Sequence, residues 1–423
     1  MSSSPLSLSR PEIKPILVLG GSYGGLSITH YLLKHVLPAL AKEALYQVVL
    51  ISSSSQAMCR PACPRALISD DMFPQDKLFV DVKKQLEQYE PGSWKFVHGT
   101  ATQVDHKKRD VTVKLNGTEV VVLNFHALVI ATGASTPSPL LGLNTDEIAL
   151  REAWGVFRNA LSSAKSIVIA GGGPAGVEVA GELGEHLNGR TGWLASRRGN
   201  PKVAITLITS GHEILPALRP SIARTAEQYL ATVGVTIIKE TKVSHVSPPM
   251  AGLDISSLVH KVILALSNDT SLEADLYIPT TGTRPNTSFL SKALLDGSRR
   301  VITSSTTYRV RDAGPLIYAI GDVSSSARPA IHNIIAAIPV LGANIKRDLL
   351  TDTGKPEHEV GPDKLFKEDT RETQLVPIGK SKGVGAAMGW RLPSWLVWII
   401  KGRDYWLWTT GKLWSGRQWE KEG

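Results

Sequence analysis

Residues 16–25 read ILVLGGSYGG, and residues 167–176 read IVIAGGGPAG. In both stretches four apolar residues lead into a glycine-rich turn, after which a helix-like run begins. An apolar run that ends in a glycine turn and continues as a helix is typical of a parallel βαβ unit. A second apolar run follows each helix, at 48–51 and at 203–208. Because the unit occurs twice, the sequence predicts an α/β fold with two Rossmann-like domains.

The two glycine turns also carry a chemical prediction. A turn between a strand and a helix offers backbone N–H groups and a positive helix end to a pyrophosphate. A lone G-x-G-x-x-G motif is a weak signal, but two copies in the same context favour a pair of dinucleotide sites. The second copy matches the motif fully, whereas the first has serine at the middle glycine. The predicted contact positions are Gly20, Gly21, Ser22, Tyr23, Gly24 and Gly25 in the first turn and Gly171, Gly173 and Gly176 in the second.

The end of the second strand in each unit bears on nucleotide preference. An acidic residue there usually binds the ribose 2′-hydroxyl. In this chain the corresponding positions are Ser52 and Thr209. Neither side chain repels a 2′-phosphate, so the second site is predicted to accept NADPH as well as NADH.

The order of the apolar runs predicts how the domains are arranged along the chain. A strand-rich stretch lies between the two glycine units, and a similar order of strands recurs after the second unit. We therefore predict one nucleotide-binding domain that is split between residues 1–150 and 265–350. The second domain is inserted at 151–264, and a tryptophan-rich segment occupies 351–423.

Composition restricts the classes of function. The formal net charge is +9, but the basic residues are scattered, which argues against a nucleic-acid partner. The eleven histidines lack metal-ligand spacing, so no metal is expected. Two cysteines are too few for a secreted disulfide scaffold. Since the sequence also shows no signal-peptide pattern and no apolar run of about 18 residues, a cytoplasmic protein is expected.

The C-terminal segment combines tryptophan with basic residues. Seven of the ten tryptophans lie between residues 390 and 419, interleaved with lysine and arginine. This combination suits the interface of a membrane, where the ring is buried and the charge meets lipid phosphate. The alternatives are that the rings cover the first nucleotide domain or form a contact in a homodimer. The sequence leaves these readings open.

The complete set of motifs resembles a known family. Besides the glycine turns, the matching pieces are Pro64-Arg65-Ala66, Ala131-Thr132-Gly133, residues 281–286 and residues 319–322. Together they resemble FAD-dependent pyridine-nucleotide oxidoreductases with two dinucleotide-binding domains. Within these, the chain is similar to the AMID-like, ferroptosis suppressor protein-like branch, which is related to apoptosis-inducing factor and type II NADH dehydrogenases. The resemblance covers nearly the whole chain and implies FAD in the first domain and NAD(P)H in the second.

The resemblance also implies roles for single residues in FAD binding. Arg65 would contact the flavin nucleotide, and the backbone of Ala101 would meet the adenine. Thr132 and Gly133 would border the flavin. Asp322 would accept hydrogen bonds from the ribityl chain; its alternative role is that of a plain helix N-cap.

Catalytic side chains are harder to assign. Hydride transfer between nicotinamide and flavin needs stacking and exclusion of water more than an acid or base. The candidates are Glu178 or Glu182 near the nicotinamide and His332 as a proton donor to an acceptor. The alternative for each glutamate is a helix-surface carboxylate, and the alternative for His332, which the sequence favours, is a helix histidine without a catalytic role. In the related branch a lysine follows the proline beyond the Gly-Asp motif, whereas alanine follows Pro329 here, which weakens the analogy with quinone reductases.

Three functions remain open at this point. The leading hypothesis is reduction of a quinone-like or other small aromatic acceptor by NAD(P)H. The spacing of Cys59 and Cys63 does not match the cysteine pair of the disulphide reductases, so these residues are interpreted as structural. An alternative is a flavoenzyme dedicated to one compound in a secondary-metabolite pathway. A flavin-binding redox regulator or partner-binding protein is the alternative of another class.

Overall fold

The computed structural model describes residues 12–192 and 195–422. Within these residues the chain forms strands and helices in alternation. The strands are β1 (Lys14–Leu19), β2 (Tyr46–Ser52), β3 (Gln56–Met58), β4 (Phe79–Asp81), β5 (Trp94–Asp105), β6 (Asp110–Leu115), β7 (Val120–Asn124), β8 (Ala127–Ile130), β9 (Ala134–Ser135), β10 (Ser166–Ala170), β11 (Ala204–Ile208), β12 (Val235–Ile238), β13 (Val243–Ser247), β14 (Val262–Leu266), β15 (Ser271–Ala274), β16 (Leu276–Pro279), β17 (Arg284–Pro285), β18 (Ile317–Ala319), β19 (Gln374–Ile378), β20 (Lys382–Ala387) and β21 (Trp390–Arg391).

The helices connect these strands and cover the sheets. Two of them continue through a π-helical turn, at Leu32–Val36 and at Trp398–Gly402. The α-helices are α1 (Tyr23–Tyr31), α2 (Leu37–Leu40), α3 (Cys63–Ala66), α4 (Gln75–Leu78), α5 (Val82–Leu86), α6 (Glu147–Leu161), α7 (Pro174–Asn188), α8 (Pro220–Thr232), α9 (Ile331–Asp352), α10 (Glu357–Val360), α11 (Ser394–Val397) and α12 (Leu407–Trp414).

The first sheet contains seven strands in the order β18-β8-β1-β2-β5-β6-β7. Strands β18, β8, β1, β2 and the first half of β5 run parallel, and the second half of β5 pairs antiparallel with β6. Both faces of β1 are buried: Ile16 and Val18 pack in one apolar cluster, while Leu17 and Leu19 pack in another. Burial on both faces explains why β1 reads as a continuous apolar run.

The second sheet is parallel, with the order β12-β11-β10-β16. Its strand β16 pairs with β10 along Leu276–Pro279, so the inserted domain extends beyond the predicted limit at residue 264. The apolar runs at 127–133 and 276–282 are alike in sequence, but the second closes the sheet of the inserted domain. The α/β class and the two Rossmann-like units are confirmed.

The C-terminal segment packs against both nucleotide-binding units. Strand β19 lies on α7, and α12 lies on α1. The ring of Trp414 is 1% exposed and its centroid lies 4.7 Å from that of Tyr23. The backbone oxygen of Trp414 lies 2.8 Å from Nε2 of His30, a buried histidine whose pKa burial lowers to about 4. Part of the tryptophan-rich segment therefore covers the first domain, as one of the alternatives predicted.

Other tryptophans of the segment face outward. Trp390 is 77% exposed, Trp395 is 63% exposed and Trp408 is 57% exposed. Within the described part of the chain, none of the helices has the length and apolarity that crossing a bilayer requires. The segment thus has an inner face of buried rings and an outer face of exposed ones.

Candidate dinucleotide and acceptor site

A large cavity lies where the two glycine turns meet. Its volume is about 1550 Å³, above the roughly 300–1,000 Å³ of ordinary small-molecule sites. Residues 22–24 of the first turn and 171–173 of the second line it, together with Gly133, Asp322 and His332. The structure therefore brings most of the predicted cofactor-binding positions into one continuous space.

The first turn has the geometry of a pyrophosphate cradle. Gly20 has a φ of +111°, which disfavours other residues. A Cβ atom on Gly25 would overlap the carbonyl oxygen of Gly20. Helix α1 begins at Tyr23 without a hydrogen bond from the Ser22 side chain to its first turn. Its N-terminal N–H groups are therefore available to a diphosphate such as that of FAD.

The second turn repeats this arrangement. Gly171 has a φ of +124°, and a Cβ atom there would lie 2.6 Å from the carbonyl oxygen of Thr280. A Cβ atom on Gly176 would overlap the carbonyl oxygen of Gly171. Gly173 caps helix α7, with Pro174 as its first residue. Gly20, Gly25 and Gly176 are therefore required for packing inside the turns. Residues 22–24 and 171–175 face the cavity.

Arg65 does not line this cavity, which corrects the role implied for it in flavin binding. Its Nε and Nη2 atoms donate hydrogen bonds of 2.9 and 2.8 Å to the two carboxylate oxygens of Glu182. Both residues are buried, and an ionised carboxylate inside a protein needs a counter-charge. Glu182 is thus also removed from the candidates near the nicotinamide. Instead Arg60 faces the cavity, with Nη1 at 3.9 Å from the Asp322 carboxylate.

Two further predicted contacts lie outside the cavity wall. Ala101 belongs to β5 and pairs with Val113 across the sheet, so its backbone serves strand pairing. The Thr132 hydroxyl donates a 2.7 Å hydrogen bond to the carbonyl of Asn286, whose side-chain amide donates one of 2.9 Å in return. Thr132 therefore joins the two parts of the chain beside Gly133, which does line the cavity.

Glu178 lines the cavity and forms a buried ion pair with a residue that sequence reasoning missed. Lys401 Nζ lies 2.5 Å from Oε1 of Glu178 and donates a second bond, of 3.1 Å, to the carbonyl of Leu375. Burial raises the pKa of Glu178 to about 7, against the opposing effect of Lys401. A carboxyl group with a pKa near neutrality can donate and accept a proton under physiological conditions. Because lysine and arginine alternate with tryptophan in this segment, the sequence predicts a lipid-facing role for its lysines and gives no sign that Lys401 is buried.

The remaining candidates are His332 and the cysteines. His332 lies in the first turn of α9 at the border of the cavity, where partial desolvation of its ring and the charge of Arg328 lower its pKa. Cys59 and Cys63 are buried thiols, and burial raises the pKa of Cys59 to about 11 and that of Cys63 further. A thiol that stays protonated is a poor nucleophile, which agrees with a structural interpretation of both.

Comparisons with known proteins agree with this geometry. The family model described as pyridine nucleotide-disulphide oxidoreductase matches residues 14–339. The chain is 59% identical to oxidoreductase phnG of Penicillium herquei over 406 residues. This alignment covers 96% of this chain and 97% of that protein. It is 28% identical to ferroptosis suppressor protein 1 of Xenopus laevis over 301 residues, 67% of this chain and 70% of that one. The resemblance to the ferroptosis suppressor branch is thereby confirmed.

A solved structure shows the same fold. The sulfide:quinone oxidoreductase of Aquifex aeolicus superposes with a TM-score of 0.67 at 16% identity, over 95% of this chain and 92% of that one. The two glycine cradles and the family match together assign FAD and NAD(P)H as cofactors. The chain belongs to the pyridine nucleotide-disulphide oxidoreductase family and is an NAD(P)H-dependent FAD oxidoreductase.

Proposed function

We propose that this enzyme reduces a quinone-like or other small aromatic acceptor with electrons from NAD(P)H. The observation that carries the proposal is that one cavity joins both glycine turns to Glu178, a carboxyl group that titrates near neutrality. Reduction of a quinone to a hydroquinone takes a hydride and one proton. NAD(P)H supplies the hydride, FAD when bound serves as the two-electron carrier, and Glu178 can donate the proton. The Lys401 ammonium then holds the resulting carboxylate.

The test separates the two halves of this reaction. Protein loaded with FAD should lose its visible flavin absorbance when NADH or NADPH is added anaerobically, and 1,4-naphthoquinone should restore it. In Glu178→Gln we expect the absorbance loss to be retained and its restoration to slow by about 100-fold, the usual contribution of a proton donor. Stopped-flow absorbance measures both rates. Protein that stays colourless with excess FAD, or that NAD(P)H does not bleach, would contradict the proposal.

We infer that the acceptor is a small metabolite rather than a respiratory quinone. The chain is 59% identical to a fungal oxidoreductase along nearly its full length, but only 28% identical to a ferroptosis suppressor protein. Such a difference supports the narrower hypothesis of a flavoenzyme dedicated to one compound of a secondary-metabolite pathway. A panel of aromatic acceptors, ranked by kcat/KM, distinguishes a dedicated enzyme from a general quinone reductase.

We further propose that the outer face of the C-terminal segment binds an anionic membrane surface. Exposed Trp390, Trp395 and Trp408 lie within a stretch that also carries exposed Arg391 and Arg403. Replacing both Trp390 and Trp395 by serine should reduce co-flotation with phosphatidylserine-containing vesicles several-fold. The matched control replaces an equally exposed apolar residue elsewhere, on α6, by serine (I148S). A wild-type protein that stays unbound and has the mass of a homodimer would assign this face to a subunit contact instead.

A further inference from the structure

The C-terminal segment contributes one wall of the cavity, which we call the C-terminal wall. Among the described residues, this wall contains one lysine together with aromatic, apolar, hydroxyl and amide side chains. Its principal members are Lys401, Trp406, Thr410 and Leu413, and the largely exposed Trp408 borders the cavity only at its outer edge. A cation beside aromatic rings is a combination that the cofactor turns do not explain.

Lys401 is held firmly in this wall. Its side chain is 8% exposed, and Nζ lies 4.9 Å from the ring centroid of Trp406 and 5.6 Å from that of Tyr405. An ammonium group has three N–H donors. Among the described residues two of them are matched, by Glu178 and by the carbonyl of Leu375. The third donor is available to a molecule that occupies the cavity.

The backbone at Tyr405 and Trp406 forms a left-handed turn beside Lys401. Tyr405 and Trp406 have φ angles of +52° and +70°, which bulky residues seldom adopt. The Tyr405 hydroxyl donates a 2.9 Å hydrogen bond to Glu182, and the Arg65 guanidinium lies 4.8 Å from the Tyr405 ring centroid. These contacts hold Tyr405 in the interior, while the next residue, Trp406, lines the cavity together with Lys401. A planar ligand in the cavity could therefore meet an aromatic ring and an ammonium group side by side.

The charges of the surrounding groups favour an anion at this position. Glu182 is neutralised by Arg65, so Glu178 is the carboxylate that pairs with Lys401. Because burial favours the protonated form of Glu178, the charge of Lys401 is only partly balanced near neutral pH. A buried cation with incomplete compensation attracts an oxyanion more strongly than an exposed one does.

We propose that Lys401 and Trp406 select acceptors that carry an acidic oxygen on a planar aromatic ring, such as an ionised phenol or enol, over neutral quinones. This inference rests on the proposed function, whose acceptor class it narrows. Trp406 contacts the ring, and Lys401 binds the oxyanion beside Glu178.

The test compares two probes that differ in one hydroxyl group. Calorimetry on the oxidised, FAD-loaded protein should show 2-hydroxy-1,4-naphthoquinone, which is ionised at neutral pH, binding about 10–100-fold more tightly than 1,4-naphthoquinone. In Lys401→Met the preference should disappear, whereas Lys401→Arg should retain most of it. Trp406→Leu should weaken both probes. The control Lys412→Met changes an exposed lysine of the same segment and should bind both probes as the wild type does.

The outcomes separate this inference from the proposed function. Equal affinity of the wild type for both probes, or an unchanged preference in Lys401→Met with full FAD content, would overturn the selection of acidic oxygens. Binding with the expected preference but without turnover would contradict the proposed reaction and leave the binding site supported. Turnover of both probes without any difference in affinity would support the proposed reaction and contradict the selection of acidic oxygens.

Discussion

Methionine in place of Arg65 should lower the free energy of unfolding by about 3–5 kcal/mol. The substitution leaves the Glu182 carboxylate buried with the Tyr405 hydroxyl but without its counter-charge, since both of its oxygens accept hydrogen bonds from Arg65. Urea unfolding followed by tryptophan fluorescence measures the change. Exposed Arg311 provides the control, and Arg311→Met should shift the free energy by less than about 0.5 kcal/mol.

A double variant separates the ion pair from the packing of Arg65. Replacing Glu182 by leucine together with Arg65→Met removes the unpaired carboxylate, so most of the lost free energy should return. If Arg65→Met alone unfolded at the same urea concentration as the wild type, the Glu182 carboxylate would not depend on Arg65 as a counter-charge. Recovery only in the double variant would confirm that the pair is required as a unit.

The two glycine turns should fail separately when alanine is introduced. Gly25→Ala places a methyl group against the carbonyl oxygen of Gly20, and Gly176→Ala places one against that of Gly171. Strain of about 1–3 kcal/mol corresponds to about 10–100-fold weaker binding at the affected turn. We expect Gly25→Ala to lose FAD on gel filtration, whereas Gly176→Ala should keep FAD but require much more NADH or NADPH for bleaching.

A helical glycine in open space supplies the matched control for both variants. Gly155 lies in α6, where a Cβ atom would meet no neighbour within 4 Å. Gly155→Ala should retain FAD and NAD(P)H affinity and gain a little stability from helix propensity. If Gly25→Ala retained FAD and Gly176→Ala lost it, the assignment of the cofactors to the two turns would have to be exchanged.

The parts of the fold that sequence predicted are those that depend on neighbouring residues. An apolar run, a glycine turn and a helix follow each other within about 25 positions, and local physics decides each step. Strand β16 shows the limit of this reasoning. Its sequence resembles that of β8, and only its pairing with β10 places it in the inserted domain.

The site was predicted incompletely for the same reason. The cofactor turns are local motifs, but Arg65 meets Glu182 across 117 positions, and Lys401 meets Glu178 across 223. Nothing near Arg65 in the sequence identifies a carboxylate partner. A lysine among tryptophans is expected at a lipid surface, and only the path of the chain after β20 brings Lys401 into the interior.

The position of the C-terminal wall has a consequence for biosynthesis. Both nucleotide turns are already present in a nascent polypeptide that has emerged through α9, but Lys401, Trp406 and Leu413 are not. A polypeptide that ends after α9 would therefore contain both cradles, but it would lack the wall that borders the acceptor side. The contact between Trp414 and Tyr23 attaches this last part of the chain to the first nucleotide turn, so the chamber is formed from both ends of the sequence.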